Sequence, residues 1–358
     1  MRIVVAFGGK SVEHQVSIIT AYQILKTMIE KHQIIICYVD QEGQLYAKKL
    51  KELKDKEQLL MDLHEVELKK DGYIFYLQKR KYRKIKYYFD FVLPLFHGGS
   101  GENGSFQGML QFMNIPYGLS NHLSLACMQD KEMMKHLLQE ANIPTLRYFV
   151  IHEWEMISKK VEHKLQRLGY PLILKGANLG SSIGIEVVYQ KEKILDALKR
   201  IYQYDHKVIV ENYLEKKKEY HLAIDPHHYS QIELIECEGY YDFKNKYQIN
   251  KSVKQLPAKI DEIKRNKMIE YGKECLKIFQ IDSMVRIDFI EDSNGEIYVN
   301  EINGIPGSLA YPLWEASGVS LDQLIETIII DGMKRYRKQA SKKQEWMQEV
   351  CIETSKYK

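Results

Sequence analysis

Apolar runs and alternating stretches divide this chain into elements before any chemistry is considered. Ile3 to Phe7 is a short continuous apolar run closed by Gly8-Gly9, as expected of a buried strand ending in a turn. A helix is expected through Ser17 to Glu30, then a second buried strand over Ile34 to Val39. Phe91 to Phe96 is a further apolar strand, and it runs into His97-Gly98-Gly99. Strands separated by helices predict an open α/β sheet with ligands at the strand C-terminal ends. From about Asn121 the texture changes. A helix over Asp130 to Glu140 is followed by a boundary at Asn142-Ile143-Pro144 and a strand at Tyr148 to Val150. Pro171 to Lys175 and Gly184 to Val188 then read as paired strands around a small-residue loop, with a further strand at Val208 to Glu211. The rest reads as an antiparallel region that ends in a hairpin, Val285 to Asn303, and a helix near Leu321 to Tyr336. The expected divisions are 1–120, 121–211 and 212–335, with a basic tail over 336–358.

The hairpin carries an unusual pairing of charges. Its alternating, β-branched runs flank Asn294-Gly295, a strong two-residue turn signal. A two-residue turn would set Asp288 opposite Glu301 and Arg286 opposite Asn303, all on one face; a four-residue turn would slide the pairs but keep that parity. Carboxylates opposed across strands repel. Divalent cations held by carboxylate oxygens and an amide would account for them; a surface hairpin of mixed charge is the plain alternative.

Bulk properties narrow the class. The 358 residues suffice for two or three domains, and 45% hydrophobic with 28% charged residues is ordinary for a globular protein. No apolar run approaches a membrane span, and the N-terminal strand is too short for a signal peptide. Five scattered cysteines without CxxC spacing suggest neither a disulfide frame nor a zinc site, so a reducing cytoplasm is expected. A net charge of +4 is too small to imply nucleic acid. The run Lys79 to Tyr88 interleaves basic residues with Tyr, as RNA binders do, but also suits a solvated turn between Tyr73–Leu77 and Tyr87–Phe89.

Other segments bear on anions and ammonium groups. Lys175 to Gly184 is rich in Gly and Ser, so N–H groups and the Ser181 and Ser182 hydroxyls could cradle phosphate; a flexible hairpin tip is the alternative. It is not a Walker loop, because no Gly-Lys-Ser/Thr is present and a strand follows. Lys131 could supply a second cation. Glu211-Asn212-Tyr213-Leu214 could form an adenine linker whose backbone reads the base while Tyr213 and Leu214 pack on it, with Glu219 accepting from ribose hydroxyls. Near the N-terminus, Glu13 sits after a Gly turn at a helix start, where a carboxylate suits a ligand ammonium group. His97 opens a second Gly-dense turn, with either a structural or a catalytic role.

Together these segments resemble the D-alanine–D-alanine ligase family of ATP-grasp enzymes. The matching residues are Gly8 to Ser17, His97 to Gly108, Lys175 to Gly184, Arg286-Ile287-Asp288 and Asn300 to Asn303, in order over roughly residues 1 to 335. The resemblance implies an ATP-grasp architecture, α/β and α+β, with an N-terminal open parallel α/β domain. It also implies ATP-driven joining of two D-alanine molecules through a D-alanyl phosphate, for peptidoglycan precursors. By the same resemblance Asp288, Glu301 and Asn303 hold two Mg2+ ions, for which Mn2+ can substitute. Arg286 and the Gly307 N–H stabilise the oxyanion, Lys131 and Lys175 meet phosphate, Glu211 and Glu219 meet purine and ribose, and Glu13 holds the first ammonium group. His97 falls in the substrate region. Tyr240 to Tyr247 resembles the family's closing loop, in which Lys246 meets the γ-phosphate or a substrate carboxylate and Tyr247 joins Ser181 and Glu13 in a triad. A homodimer, small-molecule partners only and a cytoplasmic location are implied.

Three positions depart from the family pattern. Gly101-Glu102-Asn103-Gly104 carries Asn where the family has Asp, and Lys175-Gly176 replaces Lys-Pro. The turn Gly304-Ile305-Pro306-Gly307-Ser308 is shorter than usual. The family's serine for the second substrate's carboxylate would be replaced by Ser308, which leaves D-serine, D-lactate or another amino acid as alternative second substrates. Tyr247 is similar to the dipeptide-forming members.

Overall fold

Three sheets carry the architecture of the computed structural model, which describes residues 1–155, 158–180, 183–237 and 252–342. The first contains β1 (Arg2–Gly8), β2 (Gln33–Val39), β3 (Leu45–Leu50), β4 (His64–Asp71), β5 (Ile74–Lys79), β6 (Lys86–Phe89) and β7 (Phe91–Pro94). Their order is β6-β5-β4-β3-β2-β1-β7. Only β1 with β2 and β1 with β7 are parallel; β3 to β6 extend the sheet antiparallel. The expected parallel arrangement is therefore the centre of this sheet, where the buried runs lie. The basic, Tyr-rich segment is the β5–β6 hairpin turn at its far edge, with Tyr82 exposed.

Helix α1 (His14–Met28) follows β1 and covers the sheet with Ile18, Ala21, Ile24, Leu25 and Met28. A serine locks the start of this crossover. The Gly8 N–H donates to Ser17 Oγ (2.8 Å), whose hydroxyl donates to the Leu95 carbonyl (2.6 Å). Because β1 and β7 are parallel neighbours, the loops after Gly8 and after Phe96 emerge side by side at one edge.

The second sheet has the order β10-β9-β11-β8, built from β8 (Tyr148–His152), β9 (Leu172–Gly176), β10 (Ile185–Val188) and β11 (Lys207–Asn212), all antiparallel. Helix α2 (Lys131–Glu140) precedes it. Asp130 caps α2 by accepting from Glu132 and Met133 N–H, and Lys207 of β11 pairs with both Asp130 and Glu132. This anchors the α2 N-terminus beside the Gly/Ser loop, where the Lys131 N–H donates to the Ala177 carbonyl at 2.9 Å. Helices α3 (Lys159–Leu168) and α4 (Ile194–Ile201) form that sheet's core.

The third sheet has the order β14-β13-β12-β15-β16, from β12 (Lys218–Ile224), β13 (Tyr229–Cys237), β14 (Ser252–Gln255), β15 (Val285–Glu291) and β16 (Ile297–Asn303). Helix α5 (Glu262–Ile278) packs on its apolar face, with Gly272 against Leu222 and Ile224. Helix α6 (Leu321–Ala340) runs from a Ser320–Gln323 capping box and contributes Leu324, Ile325 and Ile328 to the common core with α1. Among the described residues no helix is long and apolar enough to cross a membrane.

Candidate active site

The β15–β16 hairpin reaches the expected pairing by an unexpected route. Its loop has three residues, Ser293-Asn294-Gly295, closed by the Asp292 N–H bonding the Glu296 carbonyl at 3.1 Å. Gly295 has φ +83°, the left-handed conformation this loop class needs. Near the turn Phe289 pairs with Val299, one position out of step with a two-residue turn. A bulge between Asp288 and Phe289 then leaves Asn300 unpaired and restores the step, so Asp288 faces Glu301 and Arg286 faces Asn303. Apolar Ile287, Phe289, Val299 and Ile302 stay on the core face, and the charged set lies on the other.

That charged face continues across the sheet. Glu233 of β13, His221 of β12, Asp288 and Glu301 occupy successive register positions. His221 Nδ1 is 3.1 Å from Glu233, and its Nε2 is 3.7 Å from Asp288. Arg286 grips Asp288 with two bonds, Nε at 2.6 Å and a terminal nitrogen at 2.8 Å, while the Asn303 amide donates at 3.1 Å. Burial opposes the Arg286 charge, but Asp288 and then Glu301 overcome it, so its pKa rises and it stays a cation.

A single cleft joins this face to the N-terminal sheet. Glu13, His97, Glu219, Arg286, Asp288, Glu301, Asn303, Gly307 and Ser308 all line it. Glu13 is 8% exposed and sits at the N-cap of α1, its own N–H bonded to Ser11 Oγ at 2.9 Å. Gly98 and Gly180 flank its carboxylate so closely that a Cβ on either would lie within 3 Å of Oε2. Gly180 thus brings the Gly/Ser loop against Glu13. The positions Ser181, Ser182, Lys246 and Tyr247, and the loop around the last two, lie outside the described residues.

His97 is buried and shares a 2.9 Å hydrogen bond with Thr20. Burial, and then the nearby Arg286 charge, lower its pKa to about 4, so the ring is neutral near pH 7. Thr20 in turn accepts from the Ser308 N–H at 3.3 Å, and the Ser308 hydroxyl bonds Gln23. The short turn after Gly307 is therefore docked on α1. Ser308, Leu309 and Ala310 all have φ near +50°, a costly conformation for residues with a side chain.

The proposed phosphate lysines do not line the cleft themselves but stand behind Glu301 and Asn300, which do. Lys131 Nζ donates to the Leu179 carbonyl at 2.5 Å and lies 3.5 Å from Glu301. Lys175 bonds Glu211 at 2.6 Å and reaches Asn300 Oδ1 at 3.5 Å. Glu211 itself is fully buried behind Lys175, and Leu214 is half-buried; neither lines the cleft. Glu219 does, paired with Lys217 at 2.6 Å.

Sequence reasoning passed over Thr20, Glu102, Lys135, His221 and Glu233. Glu102 lines the cleft and accepts from the Gly98 N–H at 2.6 Å. Burial, then the Glu13 charge, push its carboxyl up to about 8. Lys135 had a readable signal, its i,i+4 spacing from Lys131 on one helix face.

Among the described residues no three His, Cys, Asp or Glu side chains are gathered as a metal cluster. Asp288, Glu301 and Asn303 nevertheless present only oxygen donors from facing strands. Few protein oxygens completed by phosphate oxygens fit Mg2+, which keeps most of its ligands from water and substrate.

A parallel-centred α/β sheet and two antiparallel sheets meeting at a carboxylate-rich cleft match the architecture of the ATP-grasp ligases. The solved D-alanine–D-alanine ligase from Coxiella burnetii has this fold, with a TM-score of 0.81 at 24% identity, covering 95% of this chain and 96% of that one. The VanG D-Ala:D-Ser ligase from Enterococcus faecalis gives a TM-score of 0.78 at 26% identity, covering 92% and 99%. A D-alanine–D-alanine ligase from Thermosipho melanesiensis is 36% identical over 354 residues, 94% of this chain and 95% of its own length. Residues 2–119 match the family model "D-ala D-ala ligase N-terminus" and residues 137–330 match "D-ala D-ala ligase C-terminus". The chain belongs to the D-alanine–D-alanine ligase family.

Proposed function

We propose that this chain joins two D-alanine molecules at the expense of ATP, supplying a peptidoglycan precursor in the cytoplasm, as a homodimer. The observation that carries the reading is one cleft shared by Glu13 and His97 from the first sheet and by Arg286, Asp288, Glu301 and Asn303 from the third. A carboxylate oxygen of the first D-alanine takes the ATP γ-phosphoryl group, and ADP leaves. The amine of the second D-alanine then attacks the acylphosphate carbon, phosphate departs with the C–O bond electrons, and the amine loses a proton.

In this reading Glu13 holds the first ammonium group. Arg286 and the Gly307 N–H stand where negative charge develops on the carbonyl oxygen, a placement worth roughly 3 kcal/mol per donor. Lys131 and Lys175 receive phosphate, Ser181 and Ser182 cradle it, Glu211 to Leu214 and Glu219 take adenine and ribose, and Lys246 and Tyr247 close over the site with Ser181. Closure keeps water from the acylphosphate. Asp288, Glu301 and Asn303 would hold two Mg2+ ions, or Mn2+, which when bound draw charge from the phosphate oxygens.

A second reading, D-serine as second substrate, is supported by the short turn at Ser308 and by the likeness to the D-Ala:D-Ser ligase. One screen separates the two. Phosphate release is followed with D- and L-amino acids and hydroxy acids, singly and in pairs, with products identified by mass spectrometry. Release and D-alanyl-D-alanine with D-alanine alone are expected. Release only when a different second acceptor is added would overturn the first reading.

A further inference from the structure

Lys135 has no part in the roles above, yet only 1% of its side chain is exposed. It lies one helical turn after Lys131 on the same face of α2. Its Nζ is 2.7 Å from Glu211 Oε1, and the other oxygen of Glu211 accepts from Lys175 at 2.6 Å. Glu211 is 0% exposed. The Lys135 ammonium also sits 5.6 Å from the centre of the Tyr148 ring. Burial lowers the Lys135 pKa, and the Glu211 charge opposes that fall.

One buried carboxylate is thus shared by two lysines whose surroundings differ. Lys175 reaches the cleft wall at Asn300, whereas Lys135 does not line the cleft and its side chain is 1% exposed. An arriving phosphate can draw Lys175 away from Glu211. Were Lys175 its sole partner, that move would strand a buried carboxylate, which is heavily penalised. Lys135 removes the penalty because, buried against Glu211, it stays when Lys175 leaves.

We propose that Lys135 is a positioning residue for nucleotide binding. It keeps Glu211 neutralised so that Lys175 is released to the triphosphate. The inference rests on the ATP site proposed above and deepens it. In K135M, Glu211 and Lys175 remain a balanced pair, so the fold stands while Lys175 stays engaged. Affinity for Mg-ATP should fall by about tenfold or more, with KM for ATP rising far more than kcat falls and adenosine affinity unchanged. K135R should restore ATP binding. Adding Glu211→Gln to K135M should cancel the K135M effect, so that the double variant binds Mg-ATP as E211Q alone does, since no carboxylate is left to strand.

The test is calorimetric titration of the full chain with adenosine, ADP and Mg-ATP for wild type, K135M, K135R, E211Q and K135M/E211Q. Unchanged ATP affinity in K135M, equal weakening of adenosine and ATP, or a double variant that binds ATP tenfold more weakly than E211Q would each overturn the inference. Should K135M not fold, E211Q and K135M/E211Q must bind ATP alike; a tenfold difference between them overturns it. A wild type that binds no ATP overturns the proposed function itself.

Discussion

Replacing Glu211 by Gln should destabilise the chain by about 3 kcal/mol at neutral pH, and the effect should fade in acid. Glu211 is fully buried, so desolvation alone would raise its pKa, but the charges of Lys135 and Lys175 outweigh burial and hold the carboxyl at about 2, against an ordinary 4.5. That difference corresponds to roughly 3 kcal/mol in favour of the ionised form in the folded chain. The sign follows from linkage. A carboxyl depressed by folding contributes stability that is present above its unfolded value of 4.5 and is lost as pH falls towards 2. Gln keeps the shape but not the charge, and its amide offers one acceptor oxygen where the carboxylate offers one to each lysine. Urea denaturation of wild type and E211Q, at several pH values and with the m-values compared, measures the gap. It should narrow from about 3 kcal/mol at pH 7 to about 2 kcal/mol near pH 3.5. A gap below about 0.5 kcal/mol at pH 7, or one that does not change in acid, would refute the ionic account.

What could be read from sequence was set by how local each signal is. The parallel centre of the first sheet follows from continuous apolar runs in β1, β2 and β7, each of which is a property of a few neighbouring residues. The antiparallel strands β3 and β4 carry fewer buried positions and no such run, so they were not anticipated. At the hairpin, Asn294-Gly295 announced a turn but not its length. The bulge had its own trace: Ile297, Val299 and Ile302 are buried, so alternation slips where the polar residues Asn300 and Glu301 stand together. Glu211 and Lys135 show the opposite limit. Their pairing depends on how α2 docks on β11, 76 positions apart in the chain, and nothing near either residue reports it. Thr20 was hidden likewise, since it matters only through His97 and Ser308.

Three further outcomes are expected. E301Q should keep the wild-type melting curve yet lose nearly all D-alanine-dependent phosphate release, because Glu301 is one of only two carboxylates in the proposed metal set; wild-type-like turnover would remove it from that set. Gly98 has φ +65°, and a Cβ there would clash with Ser11 Oγ, which holds the Glu13 N–H, and would stand 2.8 Å from Glu13 Oε2. G98A should therefore raise KM for D-alanine by about tenfold or more while leaving Mg-ATP affinity as it is, the backbone strain adding about 1–2 kcal/mol of instability. Equal losses for both ligands would argue against Glu13 as the amino-acid contact. The last outcome concerns Asn300, which lies beside Glu301 in the middle of a strand, where a deletion would ordinarily turn every later side chain to the wrong face. Here it should not. Asn300 is the unpaired residue of the bulge, and removing it leaves Val299 followed directly by Glu301, a regular alternation that still sets Phe289 against Val299 and Asp288 against Glu301. The deletion variant should fold with a denaturation midpoint close to wild type and lose only the 3.5 Å contact from Lys175. Deleting Tyr298, a paired residue two positions nearer the turn, should instead force Val299 out of the core and unfold the sheet. If both deletions unfold the chain alike, the bulge is not what accommodates the three-residue loop.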